Sequence, residues 1–280
     1  MKTNNKIIHL KILYIFFLIL SLNIFFFSTD ELEGKAFDIN NIDISKPFEI
    51  NFDKNEVIDQ GFKKGFLELI SLIINSEDTK KINQIKLNEI KSMIESFSIK
   101  EEKFIDEIYY LSLNVSFNKK RIFNLLESKN IFPSLPIKKD ILFIPIFFDQ
   151  NRDEILMFSE SYLFKNWNVN RKKYHLLNFI LPTEDLDDFN SIKNNSRNLE
   201  NYNFDQIVKK YNLEDYIIMI VFKNDKGVKV LNKINFNKKI DIQNLNFSNL
   251  SLKNENEFQE LIEYSREIYE NYWKSKNEIN

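Results

Sequence analysis

Hydrophobic and polar positions follow regular spacings along most of the chain after residue 36, and these spacings predict its elements. Apolar residues alternate from Phe37 to Phe52 with a break at Lys46-Pro47, which predicts a strand that is kinked or lies at a sheet edge. From Asn55 to Asn75 they recur three and four residues apart, which predicts a helix with one buried face. The same spacing predicts a second helix whose buried face is formed by Ile82, Ile85, Ile90, Ile94 and Phe97.

The first half of the chain closes with a strand and a short helix. Alternation from Phe104 to Phe117 predicts the strand, and the basic segment Asn118 to Glu127 predicts the helix. Pro133 and Pro136 then interrupt the chain before Lys139. Because proline ends regular elements, this segment is predicted to be a domain boundary.

Two continuous apolar runs dominate the second half, Ile141 to Phe148 and Tyr216 to Phe222. Their length and lack of alternation predict strands that are covered on both faces. Further strands are predicted at 174–181, 228–236 and 240–252, helices at 154–167, 204–212 and 255–276, and an exposed loop at 190–203. Pro182 with Thr183-Glu184-Asp185 predicts a stop followed by a helix start, and Asn224 to Gly227 predicts a hairpin turn.

Together these elements predict a mixed α/β (α+β) protein with two small mixed-sheet subdomains and flanking helices. The predicted boundaries are 1–36 for a signal peptide or signal anchor, 37–130 for the first subdomain, 131–138 for a proline-containing linker and 139–280 for the second subdomain with its C-terminal helix.

The N-terminus predicts export. Residues 12–27 are apolar except for Ser21 and Asn23, with lysines before them and acids after them. That order keeps the N-terminus in the cytoplasm and sends the following chain across the membrane. As a helix the run would span about 24 Å, less than the ~30 Å hydrocarbon core, yet it exceeds the usual apolar region of a signal peptide.

Cleavage of this segment is left open by the sequence. Gly34-Lys35-Ala36 is the one small-x-small triplet downstream, and its use would leave a mature chain that begins at Phe37. An uncleaved anchor is slightly favoured. The prediction is an inner-membrane protein with a single span at 12–27 and a periplasmic body, or a periplasmic protein if the signal is removed.

Composition excludes several classes of function. The chain has no Cys and only four Gly, which excludes disulfides, thiolate chemistry and Cys-based zinc sites, and also glycine-rich phosphate loops. With 39 Lys and Arg against 41 Asp and Glu, the net charge of -2 gives no general attraction to nucleic acid. Much of the abundance of Phe (27 residues) and Asn is typical of an AT-rich genome.

Candidate catalytic groups are few. His175 is the sole histidine after residue 36 and has no acid within five residues, so a surface or hydrogen-bonded histidine is favoured over a catalytic one. The acidic run Glu184, Asp185, Asp187 and Asp188 lacks the DxDxDG spacing of a calcium loop and is interpreted as the first turn of a helix. Glu101, Glu102, Asp106 and Glu107 are interpreted as solvated strand and turn positions.

Basic and aromatic clusters give equally weak signals. The segments 118–121 and 171–173 could contact anionic lipid headgroups or the acids of a partner, but solvated faces are the favoured interpretation. Trp167 and Trp273 are predicted to be core anchors on helices. No catalytic, cofactor-binding or metal-binding residue is predicted, and no cofactor.

The order of the segments resembles a known family. Five segments follow the export segment in a fixed order: AFDINNIDIS, VIDQGFKKGFLELISLI, YYLSLNVSFNKKRIFNLLESKNI, ILFIPIF and YNLEDYIIMIVFKNDKGVKV. This arrangement resembles the short form of the uncharacterised Gram-negative envelope proteins grouped as domain of unknown function 2066. The resemblance implies export and an α/β body, and it supplies no catalytic residues. In element order alone, the second half also resembles small α/β domains of envelope-assembly and lipoprotein-cofactor proteins.

Three functional hypotheses follow. The leading one is a non-enzymatic periplasmic binding or envelope-assembly module with an envelope protein as partner. The rival is a periplasmic hydrolase with glycans as a candidate substrate, in which the fold brings a carboxylate pair together. The third is a structural subunit that docks through Tyr264, Tyr269, Tyr272 and Trp273 of the C-terminal helix. The ligand and the oligomeric state are not predicted.

Overall fold

The computed structural model describes residues 37–279, which form two compact units. Unit 1 comprises residues 37–135 together with 278–279, and unit 2 comprises Pro136–Asn277. The division falls within the proline-containing segment 131–138. The predicted export segment, including the apolar run 12–27 and the triplet at 34–36, lies outside the described residues.

Unit 1 is a three-stranded antiparallel sheet with helices on one face. Its strands are β1 (Asp38–Pro47), β2 (Ile94–Ile105) and β3 (Ile108–Phe117), in the order β1-β3-β2. Its helices are α1 (Lys54–Ile73), α2 (Thr79–Ile82), α3 (Leu87–Met93) and α4 (Lys119–Ser128). A mixed sheet was expected here, but both strand pairs are antiparallel.

Helix α1 provides the buried face that its spacing predicts. The Asp53 side chain caps its first turn by accepting from the Asn55 backbone N–H. Two glycines let the helix approach the sheet closely, because a Cβ at Gly61 would collide with Leu113 and one at Gly65 with Ile42.

The prediction for the segment between α1 and β3 is wrong in two places. Helix α3 ends at Met93, and Ile94 and Phe97 belong to β2, because the stretch from Ser96 to Ile99 alternates with a period of two. The predicted strand from Phe104 to Phe117 is the end of β2, a turn and β3. Asp106 and Glu107 form this turn with φ of 50° and 61°, the left-handed conformation that a two-residue hairpin connection requires.

Unit 2 is built on a six-stranded mixed sheet. Its strands are β4 (Lys139–Asp149), β5 (Glu154–Leu156), β6 (Leu177–Ile180), β7 (Tyr216–Asn224), β8 (Gly227–Phe236) and β9 (Lys239–Phe247). The order is β5-β4-β7-β8-β9, with β6 also paired to β4; β4 is parallel to β6 and β7, and the other pairs are antiparallel. Its helices are α5 (Tyr162–Asn166), α6 (Leu186–Asn194), α7 (Asp205–Lys209) and α8 (Glu255–Lys276). The mixed α/β architecture with two sheets and flanking helices is confirmed.

Both apolar runs are central strands covered on two faces, as predicted. On one face, side chains of β4 and β7 such as Ile144 and Ile220 pack with Ile192 of α6 and Ile207 of α7. On the other face, Phe143 of β4 stacks on Trp167 with ring centroids 3.8 Å apart, next to Phe179 and Tyr269. Trp167 and Trp273 are both buried, which confirms their prediction as core anchors.

Three other predictions for unit 2 are corrected. The segment 154–167 is not one helix. Ile155 and Met157 are buried two residues apart, as in an extended chain, a short 3-10 helix follows at Phe158–Glu160, and α-helix begins only at Tyr162. The segment 190–203 is not an exposed loop, because α6 and a 3-10 helix at Ser196–Asn201 bury Ile192 and Leu199. Strand β9 ends at Phe247 rather than at residue 252.

Helix α8 has the predicted bounds, and its buried stripe contains polar as well as apolar residues. The Asn254 side chain caps it by accepting from the Glu257 N–H. Phe258 and Ile268 are only half-buried. The buried positions are Leu261, Ile262, Ser265, Tyr269, Trp273 and Lys274.

Candidate binding surface

Strand β2 lies at the edge of the unit 1 sheet. One of its sides pairs with β3, and no strand within residues 37–279 pairs with the other. Eleven of its twelve residues are exposed, and Ile94 is half-buried. Unpaired backbone N–H and C=O groups in a long strand are a template for an added strand. We call Ile94–Ile105 with its unpaired side the β2 edge.

The β2 edge exposes four large apolar side chains. Phe97, Ile99, Phe104 and Ile105 have relative exposures between 40% and 57%. Charged residues from Lys100 to Lys103 and two register shifts, after Ile94 and after Ile99, are features that protect an edge against unwanted pairing. The uncharged stretch from Ser96 to Ile99 lies between the two shifts, and all four of its residues are exposed.

One end of the unit 1 sheet carries a partly exposed aromatic cluster. The rings of Phe48 and Phe52 lie 4.7 Å apart, those of Phe48 and Phe104 4.9 Å apart, and those of Phe52 and Tyr109 4.8 Å apart. Ile50, in the connection to α1, is fully exposed. The exposed members of this cluster, Phe48, Ile50 and Phe104, add apolar surface at the end of the β2 edge. We call these five residues the aromatic end.

A polar triad joins β2 to the start of α1 beside the aromatic end. The Lys54 ammonium lies 2.7 Å from the Glu102 carboxylate, which also accepts from the Tyr109 hydroxyl at 2.9 Å. The hydrogen bond from Lys54 holds the pKa of Glu102 below its ordinary value and raises the pKa of Lys54. Burial, followed by the bond to Glu102, raises the pKa of Tyr109. These bonds attach the exposed strand to the helix without covering its outer side.

Asp43 of β1 and Glu101 of β2 do not form a typical hydrolase pair. Asp43 and Glu101 line one shallow pocket of about 290 Å³ on the open face of the sheet. Asp43 accepts from the Ser112 hydroxyl at 2.7 Å, Glu101 is paired with Lys103, and both acids are exposed. A general acid needs a site that disfavours its ionised form, and water-exposed, paired carboxylates do not have one. Asp106 and Glu107 lie in the hairpin turn, as solvated positions.

The acidic run at 184–188 caps a helix. Asp185 accepts from the backbone N–H groups of Asp187 and Asp188 at the start of α6, and Glu184 accepts from the Ser159 N–H at 2.9 Å. Lys210 lies 2.7 Å from both Asp185 and Asp188, and its hydrogen bond lowers the pKa of Asp185. The helix-start interpretation is confirmed. Within residues 37–279 no group of three His, Asp or Glu side chains is arranged to hold a metal ion.

His175 and the two basic segments have separate environments. The His175 ring Nδ1 lies 2.9 Å from the Lys172 carbonyl oxygen, so His175 is hydrogen-bonded and belongs to no Ser-His-Asp relay. Arg171 donates to the Asn178 side chain at 2.9 Å. In the other segment, Asn118 caps α4 and Arg121 donates to the Ser92 carbonyl oxygen. The two basic segments lie in different units.

Sequence patterns do not reveal the buried polar groups on α8. The Tyr269 hydroxyl donates to Asn232 at 2.6 Å, with both side chains fully buried. The Glu270 carboxylate accepts from the backbone N–H groups of Leu176 and Leu177 at 2.8–3.1 Å. Lys274 is 6% exposed. A helical stripe of mixed polar and apolar letters is typical of a surface, so no sequence signal marked these positions. Of the aromatic residues in the docking hypothesis, Tyr269 and Trp273 are buried in unit 2.

Lys274 gives unit 2 an expected pH dependence. Burial lowers the pKa of Lys274 to about 8 in the folded protein from an ordinary value of 10.5. Between these values the unfolded chain binds more protons, so the free energy of unfolding rises with pH. We expect a rise of about 1–2 kcal/mol from about pH 7.5 to about pH 9.5 that Lys274→Met removes.

Urea unfolding at the two pH values, followed by tryptophan fluorescence, measures this slope for unit 2, because both tryptophans lie there. Lys276→Met, which removes an exposed lysine from the same helix, is the matched control and should keep the wild-type slope. A slope that Lys274→Met leaves unchanged would contradict the assignment.

Comparison with known proteins adds no family. No model of a known protein family matches the chain, and no curated protein matches it. The resemblance to the domain of unknown function 2066 therefore remains a prediction. Among residues 37–279 no helix combines the length and the apolar character needed to cross a membrane.

Proposed function

We propose that the chain is an exported, non-enzymatic binding or envelope-assembly module whose β2 edge pairs with an extended segment of an envelope protein. It is held in the inner membrane by residues 12–27, or released into the periplasm if that segment is cleaved. The resemblance to the envelope proteins of domain 2066 is part of this proposal. The observation that supports it is the unpaired side of β2, whose Ser96 to Ile99 stretch is uncharged and exposed.

An extended segment suits this surface for two reasons. Strand addition supplies main-chain hydrogen bonds along the edge, and alternate side chains of the added strand fall on opposite faces of the sheet. On the face that carries α1 they would meet Phe97, which packs against Phe62 at 5.0 Å and is half exposed. On the other face they would meet Ser96 and Ser98. The expected partner segment therefore alternates between apolar and polar residues.

Site-specific crosslinking in cells tests this proposal. A photo-reactive residue at Ser98 should form an adduct with an envelope protein, whereas one at Asn244 should not. Asn244 is the matched control because it is also an exposed polar residue of an edge strand, β9. Ile99→Lys should weaken the Ser98 adduct, and Ile242→Lys, which changes an exposed isoleucine of β9, should leave it intact.

A purified partner gives the decisive measurement. Its binding should slow amide hydrogen exchange in Ser96 to Ile99 while the amides of β9 exchange as before. Adducts of equal yield at Ser98 and Asn244, or a bound partner that leaves β2 exchange unchanged, would contradict strand addition.

The rival hydrolase proposal rests on the pocket that contains Asp43 and Glu101. The exposure and the existing partners of these acids favour a solvated surface over an active site, so the binding module is the better supported proposal.

A further inference from the structure

A pocket of about 350 Å³ lies at the carboxyl ends of the parallel strands β4 and β7 in unit 2. Phe148 and Gln150 line it from the end of β4, and Phe222 lines it from the end of β7. Its other lining residues all belong to the 3-10 helix Ser196–Asn201. Volumes of about 300–1,000 Å³ are typical of sites for small molecules, so the pocket is large enough for a ligand of modest size.

The strand order places this pocket where ligands bind in other α/β sheets. After β4 the chain turns to β5, on the side of β4 that faces away from β7. After β7 it turns to β8, on the side of β7 that faces away from β4. The two connections diverge and leave a crevice between the strand ends, which is the topological switch point of the sheet. Ligand sites of open α/β sheets lie preferentially in such a crevice.

The 3-10 helix that forms one wall of the pocket is attached to the sheet at two points. Leu199 is 1% exposed and belongs to the same core cluster as Phe148 and Phe222. One carboxylate oxygen of Glu200 pairs with the ammonium group of Lys229 on β8 at 2.8 Å. The wall is therefore in place before a ligand arrives, which lowers the entropic cost of binding.

The polar lining residues offer both donors and acceptors. Asn201 Nδ2 donates to Asn198 Oδ1 at 2.7 Å, and Asn224 Nδ2 donates to Gln150 Oε1 at 2.9 Å. These bonds leave Asn198 Nδ2, Gln150 Nε2 and Asn201 Oδ1 without a partner among residues 37–279. The Arg197 guanidinium also has no partner within that range. The pocket can thus both donate hydrogen bonds to a ligand and accept them from it.

The charges at the pocket favour a neutral ligand. Of its nine lining residues, Arg197 and Glu200 are charged, with opposite signs. An anion that binds Arg197 would also meet the Glu200 carboxylate, and a cation would meet Arg197 and the nearby Lys229, so either would lose part of the attraction that it gains. A neutral ligand avoids this cost. Hydroxyl groups suit the remaining lining, because each hydroxyl both donates and accepts.

We propose that this pocket binds a neutral sugar ring. The hydroxyl groups of a sugar match the free amide groups of Asn198, Gln150 and Asn201, since neighbouring hydroxyls can donate to one amide and accept from the next. The C–H groups of the ring are apolar and can pack against Phe148 and Phe222 where these residues line the pocket. The ring can belong to a free sugar or to one unit of a glycan, since both present the same hydroxyl groups.

Titration calorimetry of the full chain, in a detergent without a sugar headgroup, tests the site with glucose, galactose, mannose and N-acetylglucosamine. At least one of these sugars should bind, and Gln150→Ala combined with Asn198→Ala should weaken its binding by about tenfold, since two hydrogen bonds are lost. The control is Asn170→Ala combined with Asn244→Ala, which removes two exposed amides of unit 2 outside the pocket and should leave the affinity unchanged. Equal melting temperatures verify that both double variants fold.

Salt and a charged probe test the expected neutrality of the ligand. The affinity for the sugar should stay the same in about 1 M salt, where the screening length falls to about 3 Å. Inorganic phosphate should bind more weakly than the sugar. Binding of none of the four sugars, tighter binding of phosphate than of any sugar, or equal effects of the two double variants would overturn the site while leaving the β2 proposal untouched.

The methyl glycoside of the bound sugar distinguishes the two sources of the ring. A glycan unit has its anomeric oxygen in a glycosidic bond, so a site for glycans should bind the methyl glycoside as tightly as the free sugar. A site for free sugars that uses the anomeric hydroxyl as a donor should lose about threefold or more in affinity for the methyl glycoside.

Discussion

Replacing Trp167 with alanine is expected to lower the free energy of unfolding of unit 2 by about 3–5 kcal/mol, the cost of emptying a large buried site. The Trp167 ring is fully buried, stacks on Phe143 and meets Phe179 edge to face at 5.3 Å. Both strands of the parallel pair β4 and β6 contribute to this cluster, and α8 contributes Tyr269. The cavity would open where the sheet and two helices meet, so little local collapse can fill it.

Urea unfolding monitored by the fluorescence of Trp273, the tryptophan that remains, measures the loss. Tyr264→Ala is the control, because Tyr264 is an aromatic residue of the same unit that is half exposed; its loss should stay below about 1 kcal/mol. Trp167→Phe should cost much less than alanine, since it keeps a ring and removes an indole N–H that has no acceptor among residues 37–279. A loss of under about 1 kcal/mol for Trp167→Ala would mean that the cluster is not a tightly packed core.

Glu270→Ala is expected to lower the free energy of unfolding of unit 2 by about 2–4 kcal/mol, because two buried backbone N–H groups lose their acceptor. These groups belong to Leu176 and Leu177, which are almost fully buried at the start of β6. Glu270→Gln keeps one acceptor oxygen and should cost about half as much.

The pH dependence of Glu270 separates its charge from its hydrogen bonds. Burial raises the pKa of Glu270 above its ordinary value of 4.5, against opposing effects of the two N–H groups, Lys274 and His175. For a carboxyl group with a raised folded pKa, stability is greatest at low pH and is lost as the pH rises through that value. The wild type should therefore lose stability relative to Glu270→Gln as the pH rises from about 4.5. Parallel pH profiles of stability for the wild type and Glu270→Gln would contradict this. Glu267→Gln is the control, because it changes an exposed site one turn away, and its pH profile of stability should match that of the wild type.

The regular part of the fold was predictable because its signals are local. Helix α8 and the central strands β4 and β7 have long periodic or continuous apolar runs, and the structure has them at the predicted places. Errors in the predicted elements occur where the same residues fit both the helical and the strand spacing. Ile90, Ile94 and Phe97 fit a helical face, yet the last two belong to β2, whose partner β3 is selected by pairing across the hairpin. Pairing between two strands depends on both of them, so the pattern of a single segment does not predict it.

The candidate surfaces were less predictable than the fold. Lys100 to Lys103 look like an ordinary solvated stretch, and only the strand order shows that β2 has an unpaired side. The negative predictions rested on residue types, and residue types cannot show which side chains the chain brings together.

Residues 278–279 belong to unit 1 although they follow unit 2 in the sequence. Glu278 forms a β-bridge with Ser134, and the Ile279 N–H donates to the Pro133 carbonyl oxygen at 2.9 Å. Unit 1 is thus a discontinuous domain, and unit 2 is an insertion whose two ends join at adjacent points. During synthesis unit 2 is complete before unit 1 receives its last bridge. A substitution that breaks the contacts of residues 278–279 therefore acts first on unit 1, although these residues follow α8 of unit 2 closely in the sequence.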